Sequence, residues 1–187
     1  MLILDKLNVH SRLAVILALL GAIVLQPATF ASPFGQGVFG ADVPFGSGTS
    51  LSIALGGDVS LSLTPSGQNF VGSGSHMLTV TSTDVVGYRL YVYSPGSTNM
   101  TNGSETIAAS NNTADGTLAL NTWGYNTSGS TTDFTGMKTS PIVLKDVNGP
   151  FKNGDNTIVT YGVLASGTKS AGQYKVSVVY TAVAKSQ

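Results

Sequence analysis

The sequence predicts an all-β domain with the architecture of a Greek-key sandwich or a jelly roll. Apolar residues recur at every second position in several short segments, and turn-forming residues separate those segments. No helical periodicity follows residue 31. Eight to ten short strands spaced in this way are typical of sandwiches and jelly rolls. We therefore expect a single β-domain at residues 49–187, after an N-terminal targeting segment at 1–31 and a connecting segment at 32–48.

Residues 1–31 have the pattern of a signal peptide that forms a hydrophobic signal helix. Lys6 and Arg12 precede an uncharged run at residues 13–25, which is too short for an ordinary spanning helix of ~20 residues. Small residues before and at Ala31 suit cleavage after that residue. The alternative is that residues 1–31 stay on the protein as an anchor. In that case we expect this segment alone to contact a membrane. Either interpretation predicts a secreted or extracellular cell-surface protein.

The composition supports an extracellular address and excludes one class of partner. Charged residues make up 10% of the chain, it contains 23 glycines, and it has no cysteine. Low charge with many β-branched residues suits an extracellular β-domain, and its stability cannot come from disulfides. No basic cluster is visible, so we expect no nucleic-acid partner.

Residues 32–48 are rich in glycine and proline but too apolar for a flexible linker. Phe34, Phe39 and Phe45 in this segment need an apolar surface to dock on. Two interpretations are open. The segment covers an edge of its own domain, or it is donated as a strand to another copy of the chain, with the three phenylalanines as subunit contacts.

The strands follow one another at short intervals. In VVGYRLYVYS, Tyr88, Leu90 and Val92 share one face, and the other face carries Arg89, Tyr91 and Tyr93; the alternation does not tell which face is inward. The last stretch, 156–184, reads as two β-rich runs around a glycine-containing loop, so we expect a hairpin at the centre of the sandwich. In its second run one face carries Tyr174, Val176, Val178, Tyr180, Ala182 and Ala184, and the polar residues fall mostly on the other. Further strands are predicted at 51–55, 59–63, 78–80, 105–109, 118–123 and 141–144, and loops at 124–136 and 145–155.

Three segments resemble a group of secreted β-sandwich proteins of candidate-phyla bacteria, which are distantly similar to cell-wall-associated domains of Gram-positive bacteria. The resemblance rests on Gly87-Tyr88, on Asn121-Thr122-Trp123-Gly124-Tyr125, on Tyr161-Gly162-Val163 and on Tyr180-Thr181-Ala182. It covers about residues 51–184. It implies an immunoglobulin-like sandwich at the cell surface and no particular activity.

Aromatic residues suggest one candidate ligand site. Tyr91, Tyr93, Trp123 and Tyr125 could form a platform on which sugar rings stack. The competing interpretation, which we favour, is that Trp123 caps the core and the tyrosines pack across strands. Cell-surface glycans are therefore the partner of a runner-up hypothesis, a carbohydrate-binding module.

Other chemistry has weaker support. Asp146 and Asp155 lie in an Asn/Asp-rich stretch that could offer oxygen ligands to calcium, although its spacing matches no EF-hand and its Asn-Gly pairs are turn residues. We otherwise expect no cofactor. His76, the one histidine after residue 31, sits among glycine and serine, so we expect it exposed at a loop-to-strand edge rather than in a catalytic triad. The leading hypothesis is a non-enzymatic surface or envelope structural protein, a fibre subunit or an adhesin, with a hydrolase as the weakest alternative.

Overall fold

A computed structural model describes residues 50–185, and within this range every regular element is a β-strand. The all-β prediction is confirmed there. In the same range no helix is long and apolar enough to cross a membrane. The predicted signal peptide and the segment with Phe34, Phe39 and Phe45 lie outside the described residues. The strands are β1 Ser50–Leu55, β2 Thr64–Ser66, β3 Asn69–Thr83, β4 Gly87–Tyr93, β5 Met100–Asn102, β6 Glu105–Ala109, β7 Gly116–Thr117, β8 Thr122–Asn126, β9 Asp133–Phe134, β10 Ile142–Asn148, β11 Phe151–Ser166 and β12 Val179–Ala184.

The larger sheet has the strand order β1-β3-β11-β8-β6-β5, and β2 pairs with β3. Its centre is the antiparallel pair β3 and β11, whose register runs from Phe151 opposite Ser82 to Ser166 opposite Asn69. One irregularity lies between Phe151 and Asp155, where Gly154 has φ of +85°. The second Asn-Gly pair thus forms a bulge within β11 instead of the predicted turn.

The smaller sheet has the order β10-β4-β12, and a third sheet contains only β7 and β9. The inward faces of the two larger sheets share one hydrophobic core. Tyr88, Leu90 and Val92 of β4 are fully buried there, so Arg89, Tyr91 and Tyr93 face outward. Burying a large apolar side chain contributes about 1.5–3 kcal/mol, so this alternation holds the two layers together.

The predicted closing hairpin is wrong. β11 belongs to the larger sheet, whereas β12 pairs with β4 in the smaller sheet, so residues 167–178 pass from one layer to the other. The predicted faces are nevertheless largely confirmed, because Tyr174, Val176, Val178, Tyr180 and Ala182 pack against the core. Alternation shows which side chains point inward, but it carries no information about the neighbouring strand.

The predicted strand at 59–63 is also wrong. Val59 and Leu61 pack against the core, but no backbone–backbone hydrogen bond joins residues 58–63 to any other described residue. The segment lies over Gly72 and Gly74 of β3; a Cβ at either glycine would come within 2.8 Å of a leucine side chain of the segment. The segment therefore fits against β3 because positions 72 and 74 are glycines.

Two predicted loops are shorter in the structure. β10 and β11 occupy most of 145–155, which leaves a turn at 149–150 where Gly149 has φ of +100°. β8 and β9 occupy both ends of 124–136. The prediction of a strand at 105–109 is confirmed by β6.

Candidate functional site

The two aromatic-glycine motifs of the sequence are direct partners in the larger sheet. In the β8–β11 register Tyr125 lies opposite Tyr161, Gly124 opposite Gly162, and Trp123 opposite Val163. The aromatic residues face the core and the glycines face outward. Trp123 is fully buried and donates its indole N–H to the Thr98 carbonyl at 2.8 Å.

The outward glycine pair forms a slot that Phe134 of β9 fills. A Cβ at Gly162 would overlap the Phe134 ring, and a Cβ at Gly124 would lie 2.9 Å from the Phe134 Cβ and 2.6 Å from the Thr135 carbonyl oxygen. Neither glycine has a positive φ, so close packing and not backbone conformation requires glycine here. Phe134 is 3% exposed and closes this part of the outer face.

Two asparagine side chains hold the loops that carry Phe134. Asn126 donates its Nδ2 to the carbonyls of Ser130 at 2.8 Å and Asp133 at 2.7 Å. Asn112 donates its Nδ2 to the Phe134 carbonyl at 2.9 Å. These side chains bind backbone carbonyls of the loop and of β9, and binding of nearby backbone is a common role of asparagine in turns.

His76 lies within β3 and joins the two layers, so its predicted position at an exposed loop edge is wrong. Its Nδ1 lies 2.9 Å from the Gly57 carbonyl oxygen, and its Nε2 lies 2.9 Å from the Tyr180 hydroxyl. Because a carbonyl only accepts, Nδ1 carries a proton, and Nε2 forms the hydrogen bond with the Tyr180 hydroxyl. The Tyr180 hydroxyl in turn contacts the Tyr161 hydroxyl.

Burial keeps both phenols of this network protonated. It raises the pKa of Tyr161 to about 12, and it raises the pKa of Tyr180, which also faces Tyr161. The two hydrogen-bond partners of His76 are a carbonyl and a phenol, not the carboxylate and serine of a hydrolytic triad. The network therefore links β3, β11 and β12, a structural role that joins the two layers.

The four aromatic residues of the predicted sugar platform do not lie on one surface. Trp123 and Tyr125 are 0% and 5% exposed in the core, because β8 turns them toward the smaller sheet. Tyr91 and Tyr93 are half-buried on the outer face of the smaller sheet, because β4 uses its alternate residues for the core. The packing interpretation holds for Trp123, and the surface that remains contains Tyr91 and Tyr93.

We call that surface the outer tyrosine face. It is an open depression of about 460 Å³ in the outer side of the smaller sheet. Exposed Val143 of β10 and Val183 of β12 flank β4 on this side. The residues that line the depression are Tyr91, Tyr93, Pro141, Thr181 and Val183.

Asp146 lies beside this face, between two cations. Its carboxylate accepts from Arg89 Nε at 2.8 Å and forms an ion pair with Lys185. These two partners, Lys185 first, hold the pKa of Asp146 below its usual range. The pKa of Arg89 is raised, chiefly by its hydrogen bond to Asp146, and Tyr91 is a further neighbour that raises it. Asp146 therefore holds both cations at the edge of the outer tyrosine face.

Asp155, the other carboxylate of the calcium hypothesis, has different partners from Asp146. It pairs with Lys145 at 2.6 Å and accepts from the Tyr88 hydroxyl at 2.7 Å. Burial and Asp155 together raise the pKa of Tyr88. Asp146 and Asp155 lie in strands of different sheets rather than in one loop. Residues 50–185 contain no group of three or more histidine, cysteine or carboxylate side chains placed to hold a metal ion.

No family model and no curated protein match this sequence, so the resemblance to candidate-phyla surface proteins stays a prediction. Several solved structures match at low similarity, and two of them are described here. A chain of a chaperone–tip adhesin complex, described as vital for synergistic activation of CFA/I fimbriae biogenesis, is 14% identical over 73% of this chain, with a TM-score of 0.49. The CupB6 tip adhesin from Pseudomonas aeruginosa is 14% identical over 73% of this chain, with a TM-score of 0.35. The matches cover 42% and 41% of those chains, so this chain spans less than half of either.

Proposed function

We propose that this chain is a non-enzymatic structural protein of the cell surface or envelope, an adhesin or a subunit of a fibre. The proposal includes export directed by residues 1–31 and a Greek-key sandwich of immunoglobulin-like or jelly-roll type. The observation that carries it is the segment at 58–63, whose backbone pairs with none of the described residues. A structural subunit needs a place where another copy can attach, and this segment offers one.

The segment combines an apolar inner side with a backbone that is unpaired within residues 50–185. Val59 and Leu61 pack against the core, whereas Asp58, Ser60 and Ser62 are exposed. Among the described residues, none pairs with the backbone N–H and C=O groups of 58–63. Unpaired backbone beside a sheet is a site for addition of an extended chain, in which main-chain hydrogen bonds supply affinity.

Residues 32–48 are the proposed donor. Phe34, Phe39 and Phe45 would dock on apolar surface next to the acceptor, where Leu55 is 58% exposed and Leu63 is 39% exposed. Donation from one copy to the next is a head-to-tail contact that does not close, so it would build filaments. The alternative is that the segment covers the edge of its own domain and keeps the chain monomeric.

A truncation separates these two cases. The secreted protein is compared with a version that starts at Gly48, by sedimentation and electron microscopy. A matched control keeps the full length but carries Phe34→Ser, Phe39→Ser and Phe45→Ser. Donation predicts filaments or oligomers that both changes abolish. A monomer that loses stability in both variants would show that the segment serves its own domain.

A carbohydrate-binding module is the second candidate function. Tyr91 and Tyr93 favour it, because both lie on the outer face of one strand and line the same depression, together with Thr181. The test is binding of oligosaccharides by the full chain, with Tyr91→Ala as the diagnostic change.

The absence of enzymatic activity is itself part of the proposal. His76 is the one histidine after residue 31, and its ring nitrogens are used in contacts with Gly57 and Tyr180. We expect a panel of ester, peptide and glycoside substrates to show no turnover. Turnover that His76→Ala abolishes would contradict this.

A further inference from the structure

We propose that the outer tyrosine face binds carboxylated sugars, with Tyr91 and Tyr93 as the stacking residues and Arg89 and Lys185 as the carboxylate site. This deepens the carbohydrate-binding candidate and is independent of strand donation. The ligand class is an acidic oligosaccharide, one whose rings carry a carboxylate.

The sheet register places the tyrosines of β4 next to a cluster of charged side chains. Tyr91 lies opposite Val143 on one side and Thr181 on the other. Arg89, two residues earlier on the same face, lies opposite Asp146 and Val183. Residues two apart in a strand are about 7 Å apart. A sugar over Tyr91 would therefore have its substituents within reach of Arg89.

The two tyrosines supply surfaces that suit sugar rings. A tyrosine ring presents a large apolar face and a hydroxyl that forms hydrogen bonds. Pyranose rings have an apolar face of C–H groups and an edge of hydroxyls, which matches this combination. Thr181 and the phenol hydroxyls add donors and acceptors around the depression. Tyr91 and Tyr93 on one strand would hold two successive sugar units.

The charges make the face selective for an acid. Two cations, Arg89 and Lys185, share the single carboxylate of Asp146, so this cluster has a net charge of +1. The whole chain has a formal net charge of 0, so the excess is local. The Arg89 side chain is 52% exposed and can still donate to a ligand. A guanidinium matches a carboxylate with two parallel hydrogen bonds, and Asp146 holds it in place.

A small ligand fits this surface better than a protein partner. The depression is open, with a volume of about 460 Å³ and five lining residues, a surface on which a few sugar rings can rest. A stable protein interface needs about 800 Å² from each partner, with an apolar centre. Here the apolar residues are interrupted by an ion cluster and by Thr181, an arrangement of polar groups that orients a small ligand.

The experiment measures binding by calorimetry with the full chain and three acidic probes: tetragalacturonate, a hyaluronan tetrasaccharide and sialyllactose. The methyl ester of tetragalacturonate is the matched neutral ligand, with the same rings and no charge. We expect at least one acid to bind about tenfold more tightly than the neutral ester at low salt, and the difference to shrink as salt is added.

The variants separate stacking from charge. Tyr91→Ala should abolish binding of the acid and of the ester. Arg89→Ala should weaken the acid about tenfold and leave the ester unchanged. Lys152→Ala changes an exposed lysine on β11 of the larger sheet and should have no effect. Unchanged thermal unfolding would show that each variant is folded.

Several outcomes would overturn the inference. Failure of all three acids to bind would refute it, and so would equal affinity for tetragalacturonate and its ester. Binding that survives Tyr91→Ala in a folded variant would place the ligand elsewhere. Binding of another protein to this face, competed by none of the sugars, would replace the glycan with a protein partner. None of these results depends on whether the chain forms filaments.

Discussion

The stabilities of Phe134 and Gly162 variants are predicted to be coupled, because the Phe134 ring packs directly on Gly162. Its ring is 3% exposed, and it occupies the space that a side chain at residue 162 would need. Phe134→Ala should cost about 3–5 kcal/mol, as for other buried phenylalanines. Gly162→Ala should cost about 1–3 kcal/mol, because the new methyl group must displace the ring. Either cost is large for a domain of about 5–15 kcal/mol.

The double variant decides whether the slot explains these costs. Once Phe134→Ala has removed the ring, the three atoms nearest to the Gly162→Ala methyl group are gone. The methyl group also restricts the unfolded chain, which by itself stabilises a protein by about 0.4–1 kcal/mol. We therefore expect Gly162→Ala to be neutral or stabilising in that background, with a coupling energy of about 2 kcal/mol or more. Simple additivity would refute the packing argument.

The measurement is urea unfolding followed by fluorescence. Trp123 is the single tryptophan of the chain and is fully buried, so it reports loss of the core without background from another site. A shift of the midpoint at constant slope is a change in stability. Gly116→Ala is the matched control: residue 116 has no positive φ, and its added Cβ would come no closer than 3.5 Å to any atom, so its midpoint should barely move.

Two further changes test other parts of the structure. Val178→Asp places a charge against the core and should lower the free energy of unfolding by several kcal/mol, a large part of a total of ~5–15 kcal/mol. Lys175→Ala changes an exposed side chain and should leave the melting temperature nearly unchanged. Equal melting of the two variants would contradict the face assignment. Alkaline pH should also destabilise the fold. The pKa of Tyr161 is about 12 and that of Tyr180 is raised, both above the ~10 of an unfolded chain, so the folded state holds these protons more tightly. Their contribution is complete below about pH 10 and is lost as pH rises toward about 12; the urea midpoint should fall over this window and fall less in Tyr161→Phe.

The sequence predicted the faces of the strands better than their partners. Period two in β4 and at 174–182 follows from burial of one side, and burial is a property of each segment alone. Strand pairing depends on distant residues, which is why two β-rich runs around a loop looked like a hairpin. The segment at 58–63 has the same alternation as a strand, because packing over Gly72 and Gly74 requires apolar groups on one side whether or not the backbone is paired.

The positions of His76 and of the glycine pair also depend on distant residues, which local sequence does not reveal. His76 is surrounded by glycine and serine, which read as a loop, but Gly72 and Gly74 are small because Leu61 and Leu63 pack over them. The glycines of the two aromatic motifs were recognised, yet nothing local indicates that Gly124 faces Gly162. Tyr91 and Tyr93 were identified as outward in one of two alternatives, and only the burial of Tyr88 decides between them.

The β3–β11 pair has a consequence for the order in which the chain folds. All its paired residues are at least 69 positions apart in the sequence, so its closure joins distant parts of the chain. Contacts of this range make folding slow, because chain entropy is lost before any contact is gained. While the chain is being synthesised, the central pair of the larger sheet cannot be completed until Ser166 has emerged from the ribosome. Chains in synthesis would thus lack their complete central strand pair, and the apolar side chains of β3 would wait for their partners.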